Sequence, residues 1–317
     1  MQKGNPVITL EIASISLAFE YAKEKLGFAI IATRVTPRRR QRYHQMLLLR
    51  YFQPFSTAQD LICQDCAVDI EVFSPRLRTP IEPLKNAPLR NKKIIAVNRR
   101  GRYSLVRFED ESILLMHYGM TGVVRIEQPA ERRKHEHIFF HLSNGLIMKF
   151  ECPRRFSQVE YFPDDDIPVL KKLGIEPLSD EFNGNFLYNA AIRKKTPAKL
   201  FITDNAIVTG VGNIYAAEVL FASNVHPELP ANKLTLKQCS ILAEHIKRIL
   251  NLAIECGGST ISDFRHVDGS QGAFARELKI YGRDGEKCSV CGNIIERIVQ
   301  GGRSSFFCPE CQKMKIK

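Results

Sequence analysis

The residues with the plainest chemistry lie near the carboxyl end. Cys288, Cys291, Cys308 and Cys311 form two Cys-x-x-Cys pairs with sixteen residues between them. Zinc takes four tetrahedral ligands, and two knuckles at this spacing supply them as thiolates. With sulfur in every position no place is left for water or substrate, so a Zn2+ ion here is structural. The clip holds out the stretch "VQGGRSSFF" (299–307), where Arg303 follows two glycines. Arg303 either reaches a phosphate from there or sits as a solvated turn residue.

A second candidate is "TGVGNIYAAEVLFASNVHP" (209–227), a glycine-rich turn that runs through Asn213 into a helix. Backbone amides freed at a helix start, tightened by Gly210 and Gly212, make an anion site suited to a phosphate. Taken alone, the pattern fits a plain tight turn as well. Composition points the same way as the anion reading: the net charge is +12 and the pI is near 9.3. Such a balance attracts nucleic acid first, although a membrane surface or ribosomal RNA would draw the same charge.

The remaining cysteines (Cys63, Cys66, Cys152, Cys239 and Cys256) are irregularly spaced, and a chain of 317 residues needs no disulfide staples. A reducing cytoplasm is expected. "CQDC" (63–66) offers half a metal site with no second pair nearby and reads as two ordinary thiols. Glu11, Glu20, Lys23, Glu24 and Lys25 break the apolar stretch 8–35, which is neither a membrane span nor a transit peptide.

These residues need elements to position them. Residues 1–45 join a helix-like stretch to the basic run "TPRRRQRY" (36–43) and read as a divergent extension. From about Lys92 the apolar period becomes two. "KKIIAVNRRGRYSLVRF", "SILLMHYGMTGVVRI" and "HIFFHLSNGLIMKF" read as successive strands, with Asn144-Gly145 as a hairpin turn. Residues 46–165 are therefore expected to form an antiparallel β-sandwich of two packed layers. Residues 166–180 read as a hinge. Helical spacing covers 181–265, clearest in 235–258, where Thr235 and Gln238 form a capping box and Gly257-Gly258 stops the helix. A loop and the zinc ribbon occupy 266–317. No internal repeat is visible, and the fold class is α+β, multidomain.

Taken in order, these motifs resemble the formamidopyrimidine-DNA glycosylase (Fpg/Nei) family of base-excision repair proteins. "GVGNIYAAEVLF" looks like that family's helix–two-turn–helix, and "IYGRDGEKCSVCG…GGRSSFFCPEC" like its zinc finger. The likeness continues upstream through "LGIEPLSDEFN" (173–183), "CPRRFS" (152–157), "HYGMTG" (117–122) and "NRRGRY" (98–103), covering the chain from about Asp69 onward. It implies a clamp on double-stranded DNA containing damaged bases, acting as a monomer with no membrane attachment. Enzymes that work on one base extrude it from the stack and wedge the gap. Singly, Met120 and Phe156 would read as core residues. On the family's motifs, Met120 matches an inserted methionine, Arg154 the arginine that meets the orphaned base, and Phe156 the phenylalanine that opens the stack. His135, Lys194, Asn213 and Arg303 fall on DNA-contacting positions. The loop "TISDFRHVDGSQGAFAREL" (260–278) corresponds to the segment that caps the flipped lesion.

The sequence departs from the family in three places. Family catalysis starts at an amino-terminal proline in Pro-Glu-Leu-Pro-Glu, a secondary amine that attacks the sugar C1′ with the glutamate as its acid/base partner. No such run occurs here, and near its expected place Pro37 is followed by Arg38. Arg102 stands where the family usually has lysine, keeping the charge but hardly titrating. Cys152 replaces the usual aspartate before "PRRF". Three origins fit the missing run: an altered nucleophile, a lesion-binding clamp that no longer cuts, or a displaced reading frame or start site across residues 1–68, which is the expectation favoured here. The expected function is a glycosylase/lyase removing oxidised purines (formamidopyrimidine, 8-oxoguanine) with β,δ-elimination, in which Arg303 engages the 3′ phosphate and Arg102 holds the 5′ side. The alternative is a non-catalytic zinc-ribbon protein that binds damaged DNA.

Overall fold

The computed structural model describes residues 62–256 and 274–314. The extension 1–45, Pro37, the Gly257-Gly258 stop and most of the 260–278 loop lie outside the described residues. Those described belong to one compact unit.

Eight strands come first: β1 (Cys66–Val72), β2 (Lys92–Arg100), β3 (Tyr103–Phe108), β4 (Ile113–His117), β5 (Val123–Glu127), β6 (Glu136–Leu142), β7 (Ile147–Glu151) and β8 (Gln158–Phe162). They hydrogen-bond in the order β5-β7-β6-β1-β2-β3-β4-β8, every pair antiparallel. Both halves of this succession feed one core, in which Val106, Phe108, Leu114 and Met116 meet Ile138, Phe140, Met148 and Phe150. Two layers of one folded sheet satisfy that packing.

The run "ILLMH" does not alternate apolar with polar, and the packing explains why. Leu114 and Met116 face the shared core, while Leu105, Ile113 and Leu115, at the opposite parity, pack on Ile167 beside the short helix α1 (Pro168–Lys171). The strand is covered on both faces, so both parities are apolar.

The first two segments read as strands from sequence are each broken. Gly101, at φ +57°, turns β2 into β3. The segment 112–126 divides into β4 and β5, which do not pair: β4 lies against β8 and β5 against β7. The "HYGMTG" residues therefore form a crossover between the two layers. The period-two pattern runs through both breaks, which hides them from a reading of periodicity. The Asn144-Gly145 hairpin forms as expected, with Gly145 at φ +84°.

The helical lobe comprises α2 (Gly184–Ala191), α3 (Ala198–Ile202), α4 (Asn213–Ala222) and α5 (Leu236–Glu255). The Thr235/Gln238 capping box is present at the start of α5. That helix buries Cys239, Leu242, Ala243, Ile246, Ile249 and Leu250, one stripe at helical spacing. Helix α4 has no polar face because it is covered on two sides. Tyr215, Ala216, Val219 and Leu220 enter the helical core, while Ala217 and Phe221 pack with Ile280, Ile295 and Phe306 of the zinc module. Between the two sides, the buried Glu218 carboxylate accepts from the backbone N–H groups of Lys279 (2.9 Å), Ile280 (3.0 Å) and Tyr281 (2.9 Å). The module itself is the hairpin β9 (Glu296–Gln300) and β10 (Arg303–Phe307), turned by Gly301 and Gly302, both at positive φ.

A charged seam joins the sheet to the helical lobe. Glu176 accepts from Arg99 (2.5 Å), Arg100 (2.9 Å) and Gly101 N–H (2.8 Å). Arg100 also donates to the carbonyls of Leu173 (3.1 Å) and Gly174 (2.6 Å). The next residue, Ile175, exchanges backbone bonds with Ile207 and Thr209, which lead into the glycine turn before α4. A Cβ at Gly101 would overlap Thr209 Oγ1, so the tip of the β2–β3 turn sits directly on that segment.

Candidate nucleic-acid interface

Residue Gly212 caps α4 without any side-chain hydrogen bond, so first-turn N–H groups are left for an outside acceptor. The seam delivers Arg102 to this place: a Cβ at Gly212 would lie 3.1 Å from Arg102 Nη2. The guanidinium adds to the positive potential at the start of α4, an arrangement that suits a phosphate-like anion.

The zinc hairpin meets the same helix start. Asn213 Nδ2 donates to Ser304 O (3.1 Å), and the buried Lys199 of α3 donates to Ser304 O (2.8 Å) and Ser305 Oγ (2.6 Å). Burial, reinforced by the neighbouring Arg303 charge, pulls the Lys199 amine down to about 8. Two donors on one carbonyl set the position of β10, and Arg303, one residue earlier, projects exposed beside the glycine tip.

Next to Arg102, Tyr103 pairs with His117 across β3–β4, their rings 4.9 Å apart. Burial first, then the Arg102 and Arg78 charges, push the His117 imidazole down to about 4. A neutral ring can accept, and His117 Nδ1 takes the Gly119 N–H (3.2 Å), one residue before Met120. Met120 is 69 % exposed and Phe156 51 % exposed, two large apolar side chains left open to solvent on adjoining loops. Arg154 lies over the Phe156 ring at 5.3 Å. His135, at φ +75°, joins this group through its carbonyl, which accepts the Cys152 N–H (3.0 Å).

The structure thus brings Arg102, Asn213 and Arg303 to one helix start, and Met120, Arg154, Phe156 and His135 to the neighbouring loops, with His117 between. Lys194 comes from a different element. It is exposed on the α2–α3 connection, its backbone held by Ala191 and Asn232. Reasoning from sequence gave no role to His117, although it lies within "HYGMTG", nor to Lys199, a lysine whose burial nothing local announces.

The cysteine cluster fits a tetrahedral ion. Zinc–sulfur bonds of about 2.3 Å place sulfurs about 3.8 Å apart. Cys288 and Cys311 are separated by 3.8 Å and Cys291 and Cys308 by 3.4 Å, and all four sulfurs lie within 4.8 Å of one another. The protein carries one structural zinc here, closing the knuckles beneath β9–β10. Cys63 and Cys66 are not part of a metal-ligand cluster among the described residues.

Three family models match successive parts of the chain. These are the formamidopyrimidine-DNA glycosylase N-terminal domain at residues 57–159, the H2TH domain of the same glycosylase at 173–265, and the zinc finger found in FPG and IleRS at 285–313. The first match begins upstream of Asp69, where the motifs become legible by eye. A formamidopyrimidine-DNA glycosylase of Legionella pneumophila (strain Lens) is 45% identical over 246 residues, 77% of this chain and 89% of that protein. Among solved structures, Lactococcus lactis Fpg with DNA containing an abasic site aligns at TM-score 0.76 and 31% identity, over 85% of this chain and 99% of that one. The same organism's Fpg (MutM) with DNA containing FAPY-dG aligns at TM-score 0.75 and 31% identity, over 84% and 98%. With three domains matched in order and identity of this level over most of its length, the chain belongs to the formamidopyrimidine-DNA glycosylase family.

Proposed function

We propose that this protein is a base-excision DNA glycosylase with abasic-site lyase activity, acting as a monomer on duplex DNA that contains oxidised purines such as formamidopyrimidine and 8-oxoguanine. The observation that carries the reading is the meeting of Arg102, the uncapped start of α4 and the Arg303 hairpin beside the exposed Met120 and Phe156. An anion cradle next to an apolar wedge suits a duplex whose backbone is gripped where one nucleotide has been swung out.

In this reading Arg102 holds the phosphate 5′ to the lesion and Arg303 the phosphate 3′ to it. Asn213, His135 and Lys194 contact the backbone, and these contacts position the duplex without reading sequence. His117, kept neutral beside Arg102, adds a donor on the same side. Met120 fills the vacated space, Arg154 faces the orphaned partner base and Phe156 opens the stack. Zinc contributes no bond-making step; when bound it fixes the knuckles that carry Arg303. An amine of the chain attacks C1′ and displaces the base, which leaves with a proton, and the sugar ring opens to an iminium. Loss of the C2′ proton breaks the C3′–O bond and releases the 3′ phosphate; loss of the C4′ proton then breaks the C5′–O bond and releases the 5′ phosphate. No helix among the described residues is long and apolar enough to cross a membrane. The thiolates that hold zinc and the DNA substrate suit a reducing compartment, the cytoplasm.

Borohydride trapping tests the reading. Incubation with 8-oxoguanine or abasic duplex should give a covalent protein–DNA adduct, and peptide mapping of the adduct should name the attacking amine. Tight, lesion-selective binding with neither adduct nor base release would refute the enzymatic assignment.

A further inference from the structure

The two loops that carry Met120 and Phe156 are built as a pair. Residues 118–122 cross from β4 to β5, and residues 152–157 cross back from β7 to β8. Their ends are themselves paired: His117 faces Gln158 in β4–β8, and Val123 faces Glu151 in β5–β7. The two crossovers must therefore run side by side. Close contacts lock them together. Ser157, fully buried, donates from Oγ to Tyr118 O (2.7 Å) and lies 2.9 Å from the buried Cys152 Sγ. Arg154 N donates to Thr121 Oγ1 (3.4 Å). A Cβ at Gly119 would sit 2.6 Å from Phe156 O, and one at Gly122 would overlap Ser157 Oγ.

We infer that Ser157 is a positioning residue that couples the two crossovers, so that Met120, Arg154 and Phe156 enter a duplex as one rigid wedge rather than as separate side chains. The inference rests on the repair reading above. A wedge assembled before contact loses less conformational freedom on insertion, so its benefit appears only where the stack is opened. Ser157 is fully buried and so acts through its neighbours, and Cys152 beside it supplies a soft, polarisable contact to the hydroxyl.

The test uses the full chain and two duplexes, one undamaged and one with a tetrahydrofuran abasic analogue opposite 2-aminopurine. Ser157→Ala should keep zinc content, melting temperature within a few degrees and undamaged-duplex affinity, while affinity for the tetrahydrofuran duplex falls about tenfold, the scale of one buried hydrogen bond. The 2-aminopurine fluorescence rise should shrink in parallel, and Ser157→Thr, which keeps the hydroxyl, should restore both. In a Met120→Ala background the further loss from Ser157→Ala should be much smaller than in the wild type. Full additivity, or unchanged affinity for the tetrahydrofuran duplex, overturns the coupling. If Ser157→Ala does not fold, Thr121→Val removes the second link, and undiminished lesion affinity in that variant overturns the proposal equally. A wild-type protein with no preference for the tetrahydrofuran duplex would defeat the repair reading, and this proposal with it.

Discussion

Asn213 at the start of α4 donates to the carbonyl of Ser304 at the foot of the zinc hairpin, 3.1 Å away, and Lys199 grips the same oxygen from α3 at 2.8 Å. That shared acceptor seats the hairpin that carries Arg303 on the start of α4, the helix whose capping residue Gly212 lies beside Arg102. It also makes the hairpin's placement sensitive to the charge on a buried amine.

Lys199 titrates near pH 8 in the folded chain, against an ordinary value of 10.5. Below about pH 8 it is charged in both folded and unfolded states; between about 8 and 10.5 only the unfolded chain keeps the proton, so its contribution makes stability rise with pH there. DNA affinity should run the other way. A phosphate at Arg303 favours protonated Lys199, so binding takes up a proton and should weaken as pH climbs above 8. Fluorescence anisotropy from pH 7 to 9.5 at constant ionic strength should show this slope in the wild type and a flatter one in Lys199→Met. Equal slopes would contradict the linkage.

Removing zinc should unmake the Cys288–Cys311 knuckles and free β9–β10 while leaving the β core and the α5 stripe intact. After chelation the far-ultraviolet spectrum should change little. Affinity for abasic duplex should fall by one to two orders of magnitude, roughly the effect of losing several phosphate contacts. Unchanged affinity in the metal-free protein would place the DNA grip elsewhere.

Glu176 predicts an acid-sensitive seam. Burial works to raise its carboxyl, but the charge of Arg99, followed by hydrogen bonds from Arg99, Gly101 and Arg100, holds it below its ordinary 4.5. A depressed carboxyl adds stability that is complete above about pH 4.5 and disappears as pH falls through the folded value. Urea unfolding between pH 3 and 6 should therefore show a steeper acid loss in the wild type than in Glu176→Gln. Parallel curves would rule the seam out as a stabilising element.

Glu218→Gln should act on the join between α4 and the zinc module. The amide keeps one acceptor for the three N–H groups of residues 279–281 and brings a donor among them. The expected cost is about 1.5–3 kcal/mol, the range for hydrogen bonds to a charged group. Chemical denaturation measures it, and a loss below about 0.5 kcal/mol, typical of surface substitutions, would show the carboxylate to be dispensable.

Features that depend on spacing along the chain were legible in the sequence. The four cysteines, the Thr235/Gln238 cap and the Asn144-Gly145 turn each depend on residues a few positions apart, and all three appear in the structure. Met120 and Phe156 drew attention as side chains that a core would claim, and both are exposed. What escaped notice depends on meetings across the fold. Arg99 and Arg100 look like any basic pair until Glu176 arrives from the linker. Nothing near Lys199 in the sequence marks it as buried, because its acceptors lie more than a hundred positions away. The breaks at Gly101 and around Met120 were hidden because alternation in a strand continues smoothly through a turn of matching parity.

The glycine at position 101 leaves no room for even a methyl group between the sheet lobe and Thr209. Thr209 Oγ1 would have to give way to a single added carbon there, at a φ of +57° that side chains resist on their own account. The seating of sheet on helical lobe thus rests on a side chain that is missing, and Gly101→Ala is the smallest intrusion that would disturb the place where Arg102 meets Gly212.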